Sequence, residues 1–198
     1  MGTYDMRYSS TNYYNITPVD IEKVPRARIF NNEVDEHIQK SCKRTLYRSM
    51  TRKDGYRNDE VGEIIDLQGN VMKQFDGCNG SLITDIENYY EFLTDLSRLS
   101  FILVHNHPNN SSLSFDDLYT FLMDTPLIGV VAVSNNGCVS YAIKMSDNID
   151  FYSQLYWKIS LITSHKRKNG ITPYQIRSRM LNNLSKYKLK IGRSNRRA

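Results

Sequence analysis

The stretch Phe101-Ile-Leu-Val-His-Asn-His-Pro108 constrains this chain more than any other. Four apolar residues run directly into two histidines spaced i, i+2, and a proline closes the run. On an extended strand, residues two apart point to the same face. A buried strand ending in His-x-His therefore directs two imidazoles at one point. The following Ser114-Phe-Asp-Asp117 has the pattern of a helix start, with Ser114 as N-cap and Asp117 in the first turn. A carboxylate on a rigid element then lies a short loop away from His105 and His107. Two histidines and one aspartate would leave the fourth position of a tetrahedral Zn²⁺ open to water, as catalytic zinc sites do. Each piece alone is ordinary, since Ser-x-x-Asp before an apolar run is also a plain capping signature. The chain has only four histidines, however, and spends two on this pair.

Taken together, His105, Asn106, His107 and Pro108 with Ser114 and Asp117 resemble the signature of the JAMM (MPN+ or JAB) metalloprotease family: an upstream Glu, then His-x-His-Pro, then Ser-x-x-Asp. Asn between the histidines is similar to the RadC-type and phage-type branches. One departure is visible: six residues, Pro108 to Leu113, precede Ser114, where the commoner family spacing is seven. The polar turn material Asn109-Asn-Ser-Ser112 can absorb such a deletion. Asp117 keeps the Ser-x-x-Asp spacing, and Asp116 beside it is the alternative ligand. The resemblance implies an α+β fold, a mixed β-sheet flanked by helices with a JAMM/MPN-like, cytidine-deaminase-like core. It also implies a metal-activated water that cleaves a peptide bond or an isopeptide bond in a protein substrate. Zn²⁺ would be the cofactor, with His105, His107 and Asp117 as ligands, Glu60 as general base and Ser114 as donor to the oxyanion.

Length and patterning bound the rest. The 198 residues suffice for one domain with a real core and an appendage. No apolar run approaches the roughly 18 residues that span a bilayer, and the N-terminus lacks an apolar h-region, so neither membrane insertion nor secretion is expected. Cys42, Cys78 and Cys138 are odd in number and widely spaced. They match neither a disulfide framework nor a cysteine zinc site, which points to a reducing, cytoplasmic setting.

In chain order, residues 1–32 form a Tyr- and Asn-rich arm, in which Ile16-Thr-Pro-Val-Asp20 could open a short element. Val34, Ile38, Cys42, Thr45 and Leu46 predict a helix from Asn32 to about Met50, with His37 as a structural residue. Glu60 to Asp66 and Val71 to Phe75 predict a β-hairpin. Glu60 and Glu63 stand on opposite faces of its first strand, so only one can serve as the upstream Glu; Glu60 opens the strand and is the match, and Glu63 is the competitor. Both also suit edge-strand solubility charges. A helix is expected from Ser81 to Leu99, the ligand strand follows, and then a short helix from Ser114 to Met123. Strands Leu127–Ser134 and Cys138–Lys144 flank the hairpin turn Asn135-Asn-Gly137. The resemblance implies that residues 33–148 make up a JAMM-like domain.

Residues 149–198 are set apart by charge. After Asp150, the last acid, residues 151–198 carry 12 Lys or Arg and no acid, a net of +12, leaving 14 bases against 21 acids and a net of −7 in the first 150 residues. A basic helical appendage is expected, with helices from Asp150 to about His165 and from Thr172 to Tyr187, and a disordered end from Ile191. The second reading of function starts here: a nucleic-acid-associated, RadC-like protein of DNA repair or of a mobile element or phage, with the metal site secondary or inactive. Lys166, Arg167, Lys168, Arg177, Arg179, Lys186, Lys188 and Lys190, interleaved with Tyr152, Tyr156, Trp157, Tyr174 and Tyr187, suit phosphate contact and base stacking. The same residues equally suit an acidic protein partner. His165 lies in the basic run and carries no role.

Overall fold

The computed structural model describes residues 14–53, 57–77, 100–124, 126–167 and 188–195. Ten elements follow in order: α1 (Pro18–Glu22), α2 (Asn32–Thr51), β1 (Val61–Asp66), β2 (Val71–Asp76), β3 (Phe101–His107), α3 (Phe115–Met123), β4 (Leu127–Ser134), β5 (Val139–Lys144), α4 (Ile149–Arg167) and β6 (Leu189–Ser194). The strands form one mixed sheet in the order β2-β1-β3-β4-β5-β6. β3 and β4 are parallel, joined across α3, and every other pair is antiparallel. This is the α+β arrangement of a mixed sheet flanked by helices. The helices expected at 81–99 and 172–187 lie outside the described residues.

Side-chain alternation assigns the two faces. Ile65, Ile102, Val104, Val131, Val133, Val139 and Ile143 meet Ile38, Cys42 and Leu46 of α2. Ile16, Val24, Ala27 and Ile29 from the segment around α1 join the same core, and Thr17 starts that short helix with a capping box to Asp20. On the opposite face, Ile64, Leu103, Val130 and Ala142 pack against Leu118, Phe121 and Leu122 of α3 and against Tyr152, Leu155 and Ile159 of α4. β3 is central, so its apolar run is covered on both faces, as the uninterrupted Phe-Ile-Leu-Val requires.

The C-terminus differs from expectation. Instead of losing order from Ile191, the chain adds a sixth strand, with Val139 paired to Ser194 and Lys144 to Leu189. Leu189 is buried against the α3–α4 core. Gly192 lies under Tyr141, where an added Cβ would stand 2.2 Å from the tyrosine oxygen. Lys190 and Arg193 are exposed; cationic side chains on an edge strand deter pairing with other chains, and here they masked its strand character in the sequence. At the other end of β5, the Asn135-Asn-Gly137 turn forms as read. Gly137 has φ +86°, and a Cβ there would stand 2.8 Å from the Asp20 carbonyl oxygen.

Candidate metal centre

Three elements converge where β3 ends. Strand alternation turns His105 and His107 to the α3 face, and both are buried. Their Nε2 atoms lie 2.9 Å apart. Gly62 is paired directly opposite His105, so the neighbouring strand brings no side chain beside that imidazole. Glu60, one residue before β1, is buried on the same side, with Oε1 3.8 Å from His105 Nε2. One ligand atom from each of Glu60, His105 and His107 falls within 4.8 Å of the others, a group that could hold a metal ion.

Asp117 approaches from the helix side. Its Oδ1 and Oδ2 lie 3.6 Å from His105 Nε2 and 3.2 Å from His107 Nε2. Local sequence explains the placement: Ser114 caps α3 by accepting from the Asp117 N–H at 3.0 Å, and the Asp117 carboxylate accepts from the Ser114 N–H in return. The capping box locks the aspartate in the first turn, beside the histidines. The neighbouring Asp116 is exposed, and Asp117 is the acid that reaches the pair.

The loop after Pro108 orients His107. Its Nδ1 is 3.0 Å from Ser111 Oγ and 3.1 Å from the Ser112 carbonyl oxygen. A carbonyl only accepts, so Nδ1 carries the proton and Nε2 presents its lone pair to the site. Asn110 accommodates the tight loop at φ +58°, and its side chain accepts from the Asn136 N–H. His105 Nδ1 has no hydrogen-bond partner among the described residues.

Burial and the charge of Asp117 set the electrostatics of the centre. Burial pushes the Glu60 carboxyl up to about 8, the Asp117 and Asp59 charges adding to the rise and His107 opposing it. Burial also lowers the pKa of His105, against the pull of Asp117. For His107, burial opposes the charge, but the Asp117 hydrogen bond and the charges of Asp117 and Glu60 prevail and raise its pKa. Asp117 is half-buried, and although its partial burial would raise its pKa, the two histidines hold it well below the usual carboxylate range.

Glu63, the competitor of Glu60, points to the other face. It is fully buried against α2, accepting from Ser41 Oγ at 2.6 Å, from both Nε and Nη2 of Arg44, and from Gln74 at 3.2 Å. Every acceptor site of this carboxylate is directed away from the histidines.

The basic residues are placed unevenly. Lys166 and Arg167 fall in the last turn of α4, and Lys168, Arg177, Arg179 and Lys186 lie outside the described residues. Lys188 and Lys190 are exposed around the start of β6, Lys188 with its Nζ 5.3 Å over the Phe151 ring. Neither is brought near the histidines by an interaction among the described residues. No described helix is long and apolar enough to cross a membrane.

Sequence reasoning gave no role to several groups that organise the centre: Ser111 and Ser112, which hold His107, and the buried amides of Asn106, Asn135 and Asn58. Only Asn106 carried a signal, its place between the two histidines. No protein-family model matches this chain, and comparisons with curated proteins and with solved structures also return no match.

Proposed function

We propose that this protein is a zinc-dependent hydrolase of peptide or isopeptide amide bonds, of the kind its motif resembles. The supporting observation is the buried Glu60–His105–His107 group, with the Asp117 carboxylate against both Nε2 atoms. The donor set fits the ion. The two Nε2 atoms lie 2.9 Å apart with the Asp117 carboxylate against both, and a cation seated among them would be met by both nitrogens and by that negative charge. Imidazole and carboxylate donors suit Zn²⁺. When bound, Zn²⁺ supplies Lewis acidity, lowering the pKa of water towards about 7 and polarising a carbonyl.

The chain's own residues have distinct tasks. His105 and His107 present Nε2 as ligands, the second held in its tautomer by the Ser111–Ser112 loop. Asp117 completes the set from α3. Burial raises the Glu60 pKa, so its carboxylate is a stronger base than an exposed one and, once it holds the proton taken from water, a competent acid towards the departing amine. Ser114 uses its oxygen as acceptor in the helix cap, which leaves its O–H to donate to a developing oxyanion.

The first test is elemental analysis of the purified protein beside His107→Ala. About one Zn²⁺ per chain, lost in the variant, is expected. A zinc-replete wild type without metal would sink the proposal. Zinc-loaded wild type and Glu60→Gln are then compared on unfolded protein and isopeptide-linked substrates, with chelator as control.

A further inference from the structure

Asn106 stands between the two histidines and, by strand alternation, turns to the opposite face of the sheet. It is fully buried there. Its Oδ1 accepts from the Val61 N–H at 2.7 Å, and its Nδ2 reaches the Asp59 carbonyl oxygen at 3.3 Å. These two groups belong to the peptide units on either side of Glu60. Ser49 of α2 strengthens the hold on the Asp59 carbonyl, its hydroxyl donating to it at 2.6 Å and lying 3.3 Å from Asn106 Nδ2. The Asp59 carboxylate in turn accepts from the Glu60 N–H at 2.8 Å.

The grip continues outward. Asn106 Nδ2 donates to Asn135 Oδ1 at 2.8 Å, and Asn135 Nδ2 lies 3.1 Å from the Asn58 carbonyl and 2.9 Å from that of Tyr14. Asn58, at φ +63°, accepts from the Ile16 N–H. The segment that carries Glu60 precedes β1; the Gly77 N–H bonds the Glu60 carbonyl at 2.9 Å, but the Asp59 carbonyl and the Val61 N–H, on either side of Glu60, are met by side chains. Buried amides therefore do there what ladder hydrogen bonds do elsewhere. An apolar residue at 106 would leave the Val61 N–H without this partner.

We infer that Asn106 is a positioning residue: it fixes the backbone on both sides of Glu60 to the strand residue between His105 and His107. The three groups of the centre are thereby referred to one rigid stretch of β3. The inference rests on the metal reading above and gives the middle residue of His-Asn-His a task of its own. Glu60 stands with the histidines in the group that could hold the ion, and removing a partner that orients such a group changes metal affinity by roughly 10- to 100-fold.

The test is a double-mutant cycle on Zn²⁺ affinity, read by competition with a chromophoric chelator. It compares wild type, Asn106→Ser, Glu60→Gln and the double variant, with the melting temperature of each. Asn106→Ser should weaken Zn²⁺ binding about 10-fold when Glu60 is present and less than about 3-fold in the Glu60→Gln background. Equal weakening in both backgrounds would overturn the inference, because a merely structural asparagine acts independently of Glu60. The visible spectrum of the Co²⁺ form gives a second readout, in which Asn106→Ser should move towards Glu60→Gln. Ser49→Ala leaves β3 untouched and should repeat the non-additivity at smaller size, so the test survives if Asn106→Ser does not fold. If wild type binds neither metal, the metal reading fails and amide hydrogen exchange judges the clamp. Faster exchange in Asn106→Ser confined to residues 58–61 supports it, and unchanged exchange there overturns it.

Discussion

Glu60 and Glu63 are three residues apart, the same residue type and both buried, yet they occupy opposite chemical worlds. Glu63 faces α2 and is saturated by Arg44, Ser41 and Gln74. Glu60 faces two histidines and a second carboxylate, and no arginine or lysine is described against its carboxylate; Arg52 reaches its backbone carbonyl instead. The first arrangement neutralises a buried charge with a cation the chain supplies; the second lacks such a cation and suits one from solution. A fold can tolerate the second kind of cluster only where it gains a ligand or accepts a cost in stability.

The most complete way to break this contrast is His107→Ala, which should abolish stoichiometric Zn²⁺ binding while Glu63→Ala leaves it intact. Equilibrium dialysis followed by elemental analysis reads both. Equal metal loss in the two variants would dissolve the distinction.

The next effect is on pH dependence in chelator-treated protein. The folded-state pKa of Glu60 is raised to about 8 from an ordinary value near 4.5, so between these limits the folded state binds more protons than the unfolded. Its contribution is fully present below about pH 4.5 and is lost as pH rises towards 8, a few kcal/mol across the window. Urea denaturation from pH 5 to 8 should therefore show wild type losing stability relative to Glu60→Gln. Parallel profiles would rule out Glu60 as the group responsible.

Glu63→Ala should destabilise the fold by about 2–3 kcal/mol, below the 3–5 of a fully buried pair, because the Arg44 side chain is 38 % exposed and keeps some hydration. Chemical denaturation at pH 7 measures it, and a change under about 0.5 kcal/mol, the size of an ordinary surface substitution, would mean the pair contributes nothing. The smallest effect is expected for Ser114→Ala. Loss of the cap should cost about 1 kcal/mol, and Zn²⁺ should bind more weakly because Asp117 loses its fixed place in the first turn. Weaker stability with unchanged zinc affinity would show that Asp117 is held by something other than the cap.

Much of the centre was legible in the sequence because it rests on short-range rules. Strand alternation alone sends His105 and His107 to one face, and Ser-x-x-Asp alone predicts the capping box that places Asp117 in a first turn. The same alternation separates Glu60 from Glu63 without saying which face holds the metal. That choice depends on α2 packing its Ser41 and Arg44 against one side of β1, a contact between residues about 20 apart in the chain. β6 escaped detection for a related reason. A Lys- and Arg-rich strand has little hydrophobic pattern, and only the β5 edge, with Leu189 finding the α3–α4 core and Gly192 fitting beneath Tyr141, makes it a strand.

The amides around Glu60 mark the limit most clearly. Asn106, Asn135 and Asn58 are polar residues at strand-end and loop positions, and nothing local tells such a residue from a solvated one. They are buried because strands and helix close over them, and once buried each must find a partner. Local periodicity and capping chemistry thus determined which residues can point at a metal: two histidines on one strand face and an aspartate in one helical turn. Only the tertiary packing decided which glutamate joins them and what holds it there, because those answers depend on contacts 20 to 120 residues apart in the chain, such as Ser41 with Glu63 and Tyr14 with Asn135.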